Sequence, residues 1–309
     1  MLSLTPESPS EGDGKVLSLS QGLGLYGRIA KRLDTPVYLM TRNRLTLLGF
    51  FIATVLVVLA IVGPYLTPHD PILPDPVSRL QSPNADHWMG TDNYGRDILA
   101  RVLAATRIDL FIAITSVGIS FLIGVALGAI CGYYRGFLDH LIMRVMDIQQ
   151  SFPPFILAIG LSAALGGGMI NIIYVVAIIQ IPIYARLVRG DILSAKEKPY
   201  VDAARCSGCK SWQIIVFHLF PNTLPPILVQ VAINMSWAIL NSAGLSFIGL
   251  GVRPPMAEWG IMVREGAEFT VTGEWWIPFF PGLSIFLAIL CFNLIADGFR
   301  DIFDPQLRR

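Results

Sequence analysis

The sequence predicts an all-α polytopic membrane protein: six transmembrane helices, with a short polar helix between the fourth and the fifth. Two observations predict it. Of 309 residues, 53% are hydrophobic and 15% charged, with a mean hydropathy of +0.59, where a soluble domain averages about 25% charged. Uncharged runs long enough to cross a bilayer, which takes about 20 apolar residues, extend from Leu45 to Pro68, Leu110 to Tyr134, Ile148 to Ala185, Leu219 to Val252 and Trp275 to Ala296.

In chain order, the first 44 residues are polar ("SLTPESPSEGDGK"), with no early apolar core and no small-residue cleavage site. They predict a cytoplasmic tail, disordered over residues 1–40, and an uncleaved anchor rather than a secretory signal. The first span covers residues 45–66. An external loop, 67–109, follows, and it contains "HWMGTDNYGRDILARVLAATRIDL". Gly90, Thr91, Asp92, Gly95 and Asp97 are turn and cap residues. After them Ile98, Leu99, Val102, Leu103 and Ile108 recur with helical period, with Arg101 and Arg107 off that face. This predicts a short interfacial helix leading into the membrane, with Trp88 and Tyr94 in the headgroup zone.

The second span, 110–134, carries Gly124, Gly128 and Gly132 on one face, where another backbone can approach closely; the partner is a helix of the same chain or a subunit interface. The third apolar run is too long for one crossing. Gly166-Gly167-Gly168 breaks it, giving spans at 148–165 and 169–185. A cytoplasmic segment fills 186–218. The fifth span, 219–249, contains Gln230, Asn234, Ser236, Asn241 and Ser242, polar without charge. They either line a path for a polar solute or join helices by hydrogen bonds. An external loop at 250–274, a sixth span at 275–296 and a short tail at 297–309 complete the chain.

Orientation follows from Lys and Arg placement. With the N-terminus inside, 17 of the 23 basic residues fall on cytoplasmic segments; Arg79, Arg96, Arg101, Arg107, Arg253 and Arg264 fall outside. Both termini are therefore expected in the cytoplasm. Basic residues are spread along membrane flanks, which excludes a nucleic-acid-binding face. Cys131 and Cys291 lie in spans, and Cys206 and Cys209 on the reducing side, so no disulfide framework is expected. Cys206-x-x-Cys209 has no second Cys or His pair near it, and no metal site is predicted. No span carries a charge in its interior, which argues against coupling to protons or sodium within the helices. A phosphate-binding Gly-x-x-x-x-Gly-Lys loop is also missing, since Pro9 stands where Gly14-Lys15 would need the first glycine. The energy source must be a partner, unless the chain is a passive channel or scaffold.

The polar segment contains "KPYVDAARCSGC". Pro199 suits the first turn of a helix, Asp202 its positive end, and Gly208 the left-handed position just past its last residue. A two-turn helix is predicted, followed by a second helix capped by Ser211 and running up to Pro221. Ala203, Ala204 and Gly208 have so little bulk that a partner's groove can accept the small helix at little entropic cost.

Asp202-Ala203-Ala204, three residues, Gly208 and then Pro221 resemble the E-A-A-x-x-x-G loop of bacterial ABC importer permeases. "GTDNYGRDILARVLAATRIDL", "LSFIGLGVRPPMAEWGIM" and "FNLIADGFRDIFDPQLR" are similar to the dipeptide, oligopeptide and nickel permease family, specifically its C-type subunit. The resemblance runs from about Thr41 to Arg309. Asp202 departs from the usual glutamate, His218 and Phe220 from Ile and Leu, and Ala296 from a common glycine.

The resemblance implies a type I importer permease with a core domain at about 110–300 in the bacterial plasma membrane. Asp202, Ala203, Ala204, Gly208 and Pro221 would couple it to two ATP-binding subunits. A homologous permease chain would complete a heterodimer, and an extracytoplasmic solute-binding protein would deliver solute. The chain itself would have no catalytic residue and no bound cofactor, ATP and Mg²⁺ being on the partner subunits. Dipeptides or oligopeptides are the expected solutes, nickel or glutathione the alternatives. An ATPase-independent channel or membrane scaffold is the alternative of another class.

Overall fold

The computed structural model describes residues 44–303. The tail expected to be disordered, and the last residues of the C-terminal stretch, lie outside them. All regular elements among the described residues are helical: α1 (Arg44–Val62), α2 (Ile98–Tyr134), α3 (Phe137–Gln150), α4 (Pro154–Leu165), α5 (Met169–Ala195), α6 (Pro199–Cys206), α7 (Ser211–Phe247), α8 (Trp259–Ala267) and α9 (Trp276–Phe303), with short 3₁₀ turns between them. Five of these are long and apolar enough to cross a membrane, and six crossings result if the bent pair α3–α4 counts as one.

The packing of α2 on α5 shows why that pair must count. A Cβ placed on Gly124 would lie 2.6 Å from Tyr184 Cβ, one on Gly128 2.5 Å from Ala185 O, and one on Gly132 2.9 Å from Arg189 O. Contacts that advance together along both helices mean that α2 and α5 run parallel. The chain between them, residues 135–168, therefore has to return across the bundle. The three glycines are what lets these backbones meet, and α2 and α5 share the most extensive helix contact of the bundle.

The third span differs from the expected Ile148–Leu165. Pro153 and Pro154 break it, and α3 meets α4 at 93°. At 12 residues, α4 is about 18 Å long, short of the ~30 Å hydrocarbon thickness. Amphipathic α3, pinned to α5 by Arg186–Asp147 and Arg189–Asp139 ion pairs, makes up the remainder.

The expected interfacial helix before the second span is also corrected. Ile98 to Tyr134 is a single helix of 37 residues, about 55 Å long. Arg101 does not point away from the packed face: it is 1% exposed, paired with Glu265 at 3.1 Å. The apolar periodicity at 98–108 marks a helix face buried in a folded cap. At the other end of the chain's polar segment, Ser211 is not the cap of α7. The Lys210 N–H donates to Gln213 Oε1 at 2.8 Å instead, and Pro221 lies inside α7 rather than at its end.

The bundle has two dissimilar ends. One is a cap formed by residues 63–97, the start of α2, and α8. The Trp276 indole donates to Thr91 O, and Gly168 N–H to Gly251 O, tying α9, α5 and the loop after α7 to it. The other end holds α6 and the described ends of the chain, where Gly298 of α9 meets Thr46 of α1.

Candidate functional site

Helix α6 is defined at both ends by local chemistry. Pro199 occupies its first turn, where a missing N–H costs nothing. At its C-terminus Cys209 N–H donates to Ala204 O at 3.1 Å and Gly208 N–H to Arg205 O at 2.9 Å, with Gly208 at φ +78°. This is a Schellman motif, and its positive φ is what selects glycine. A Cβ on Gly208 would meet nothing within 4 Å, so among the described residues the requirement is conformational only.

The face of α6 divides cleanly. Val201 and Ala204 are buried against the bundle, while Asp202, Ala203, Arg205 and Cys206 are exposed. Asp202 and Arg205 pair with each other at 3.0 Å on that outer face. The two alanines thus point opposite ways, and Ala203 is the one left open. Inward, α6 rests on the first turns of α7: Ile214 and Leu219 are buried in the same core as Val201, and Asn222 Nδ2 donates to Tyr200 Oη at 3.4 Å. Those turns are π-helical over Ile214–Leu219, where Phe220 N–H reaches back to Ile215 O. Pro221 follows directly. Its ring crowds the carbonyl four residues back and it offers no N–H, which favours the wider turn.

Of the polar residues predicted in the fifth span, Gln230, Asn234 and Asn241 line a cavity of about 400 Å³ with Gln149, Gln180 and Trp237. Gln230 Nε2 donates to Asn234 Oδ1 at 2.8 Å, and Gln180 Nε2 to Asn234 O at 3.1 Å. Ser120 Oγ extends this network to Gln180 Oε1 at 3.4 Å. Asn234 is fully buried and its Nδ2 has no hydrogen-bond partner. Ser236 is not part of the wall; its hydroxyl donates to Ile289 O of α9. Gln180 is the residue the sequence reading passes over. Its signal is isolation, the one amide between Ile172 and Ala185 in α5.

The cap holds the densest polar chemistry. The Asp92 carboxylate accepts from Arg96 Nε at 2.6 Å and from the Tyr94 and Arg96 N–H groups, and Arg96 and Arg101 converge on Glu265 of α8. Asp109 and Glu258 are both fully buried beside α8. Asp109 Oδ2 accepts from Trp259 N–H and Glu258 Oε2 from Ile261 N–H, leaving one oxygen of each without a partner. Burial pushes the Glu258 carboxyl above the usual carboxylate range. A third group joins His69, His87 and Asp97, one ligand atom from each lying within 4.8 Å of the others. Their separation in sequence hides them from any spacing motif.

Residues 124–309 match the family described as "Binding-protein-dependent transport system inner membrane component". The chain belongs to this permease family. Residues 40–83 of the permease match the N-terminal TM domain of oligopeptide transport permease C. It is 40% identical over 269 residues to the dipeptide transport system permease protein DppC of Alkalihalophilus pseudofirmus, covering 87% of this chain and 88% of that one. It is 41% identical over 261 residues to the glutathione transport system permease protein GsiD of Pectobacterium atrosepticum, covering 84% and 86%. Its fold is similar to an inward-facing structure of the MetNI methionine ABC transporter, with a TM-score of 0.54 and 18% identity over 66% of this permease and 96% of that chain.

Proposed function

We propose that this chain is the permease subunit of an ATP-driven importer, forming part of the translocation path for dipeptides or oligopeptides. It works with a homologous permease, two ATP-binding subunits that hold ATP and Mg²⁺, and a solute-binding protein on the opposite side of the membrane. The chain itself catalyses nothing. The α6 end is cytoplasmic, in keeping with the bias of Lys and Arg toward that end.

The observation that carries this reading is α6: a two-turn helix whose inner face sits on α7 and whose outer face, around Ala203, is left exposed by the described residues. Asp202, Ala203, Ala204 and Gly208 form the docking element, and Pro221 lies in the stretch of α7 that receives its motion. A nucleotide-driven change in the ATPases shifts the permease only through contacts that differ between states, and α6 is the surface for those contacts. Gln230, Asn234 and Asn241 line the path. Their amides donate and accept hydrogen bonds, as peptide groups do. The relatives named for dipeptides and for glutathione favour short peptides as the solute class.

Reconstitution of the full complex with Ala203→Arg tests the coupling role. Ala203 is exposed, so the variant is expected to keep its melting temperature and to lose solute-stimulated ATP hydrolysis and dipeptide uptake. Full uptake by Ala203→Arg would overturn the docking assignment. Solute flux through this chain without the ATPases would overturn the importer reading, and uptake of nickel chelates but no peptide the solute class.

A further inference from the structure

We infer that His69, His87 and Asp97 form a binding site for a borderline divalent cation, Zn²⁺ first and Ni²⁺ or Cu²⁺ next, in the cap of the bundle. Two imidazoles and one carboxylate are the donor set such ions take, while Mg²⁺ and Ca²⁺ take oxygen. The ligand atoms lie within 4.8 Å of one another, and His87 Nδ1 is 2.9 Å from Asp97 Oδ1. Ligands about 2.0–2.1 Å from a tetrahedral ion are separated by ~3.3 Å. The His87–Asp97 edge is therefore already at the required scale, and His69 needs to approach by about 1.5 Å at most.

The surroundings orient these donors. His69 Nε2 lies 3.2 Å from Asp86 O; donation there leaves Nδ1 with its lone pair, the arrangement of metal-bound histidines whose second nitrogen is held by a carbonyl. Asp97 Oδ2 accepts from Ala100 N–H at 2.7 Å as the N-cap of α2, which fixes the carboxylate and leaves Oδ1 facing His87. The His69 and His87 rings pack with centroids 4.7 Å apart, which brings the two imidazole donors to one point. Arg96 is the nearest cationic side chain along the loop, and Asp92 and Glu265 already engage it. Cavities of about 400 and 290 Å³ open on two sides of the group. Asp70, Asp75 and Asp86 line them, giving a cation an acidic approach.

The bound ion would join three pieces of chain: the exit of α1, the loop before α2 and the first cap of α2. The assignment does not depend on which solute is carried. It is tested on the full permease–ATPase complex in lipid nanodiscs, stripped with chelator, on a Cys206→Ser/Cys209→Ser background so that this pair cannot compete. Equilibrium dialysis against Zn²⁺ should give one more equivalent in this parent than in its His69→Gln derivative. The affinity of that extra site should fall by more than about tenfold in His87→Gln, and Zn²⁺ should raise the melting temperature of the parent alone. His69 is only partly buried, so His69→Gln retains the fold. Equal stoichiometry in parent and His69→Gln, or an equal thermal response to Ca²⁺, would overturn the site.

Discussion

Arg189 grips Asp139 with two parallel hydrogen bonds, Nε to Oδ1 at 2.6 Å and Nη2 to Oδ2 at 2.7 Å. This fork joins the far end of α5 to α3, the helix that turns the chain back across the bundle. The Asp139 side chain is 6% exposed and that of Arg189 33%. Asp139→Asn should therefore destabilise the protein by about 1–2 kcal/mol, below the 3–5 kcal/mol of a fully buried broken pair because Arg189 remains partly solvated. The Arg186–Asp147 pair is about half exposed on both sides, and Asp147→Asn should leave stability within about 0.5 kcal/mol. Thermal unfolding in detergent compares the two.

The parallel contact of α2 with α5 gives a second test. Gly128→Val would push side-chain atoms into Ala185 O and Val188 Cβ, which lie only 2.5 and 2.9 Å from where its Cβ would sit. A loss of about 1–3 kcal/mol or failure to accumulate is expected. Gly118 in the same helix has nothing within 4 Å, and Gly118→Ala should be tolerated.

Gly208 separates conformation from contact. Gly208→Asn tolerates φ +78° and should cost a few tenths of a kcal/mol, whereas Gly208→Val should cost about 1–2 kcal/mol through backbone strain alone. If the ATPases pack against this turn, both variants lose coupled hydrolysis. If only the cap geometry matters, Gly208→Asn retains it.

Glu258 supplies a pH dependence with a definite sign. Its folded carboxyl titrates above the unfolded value because burial disfavours its charge. The stability it contributes is then complete below the ordinary carboxylate range and lost as pH rises through the folded value. Thermal unfolding should show stability falling from about pH 4.3 upward in the wild type, and a flatter profile in Glu258→Gln. The glutamine still accepts from Ile261 N–H but carries no proton to lose. An unchanged slope would exclude Glu258 as the titrating group.

Much of this architecture was legible in the residues, because long uncharged runs, Pro199 and Gly208 act locally. The Gly124, Gly128 and Gly132 face was legible as a close-approach surface but not as one shared with α5, since nothing local names a partner helix. Arg101 was misread for a related reason: one arginine on an amphipathic face looks solvated until Glu265, 164 residues later, arrives to pair with it. The His69–His87–Asp97 group was hidden in the same way. At Pro153–Pro154 the composition looked continuous and the backbone was not. Gln180 needed the fold to bring Asn234 beside it.

The π-helical turns at Ile214–Leu219 and the prolines at 221, 225 and 226 have a mechanical consequence. Within six residues α7 lacks three backbone donors, in the stretch where Tyr200 of α6 meets Asn222 and just below Gln230. The rod is thus jointed near its foot. A push delivered at Tyr200 enters within the joint, at Asn222, while the amides of the cavity wall ride above it. The compliance of those few turns decides whether a thrust at the base arrives at the wall as a translation, as a tilt, or not at all.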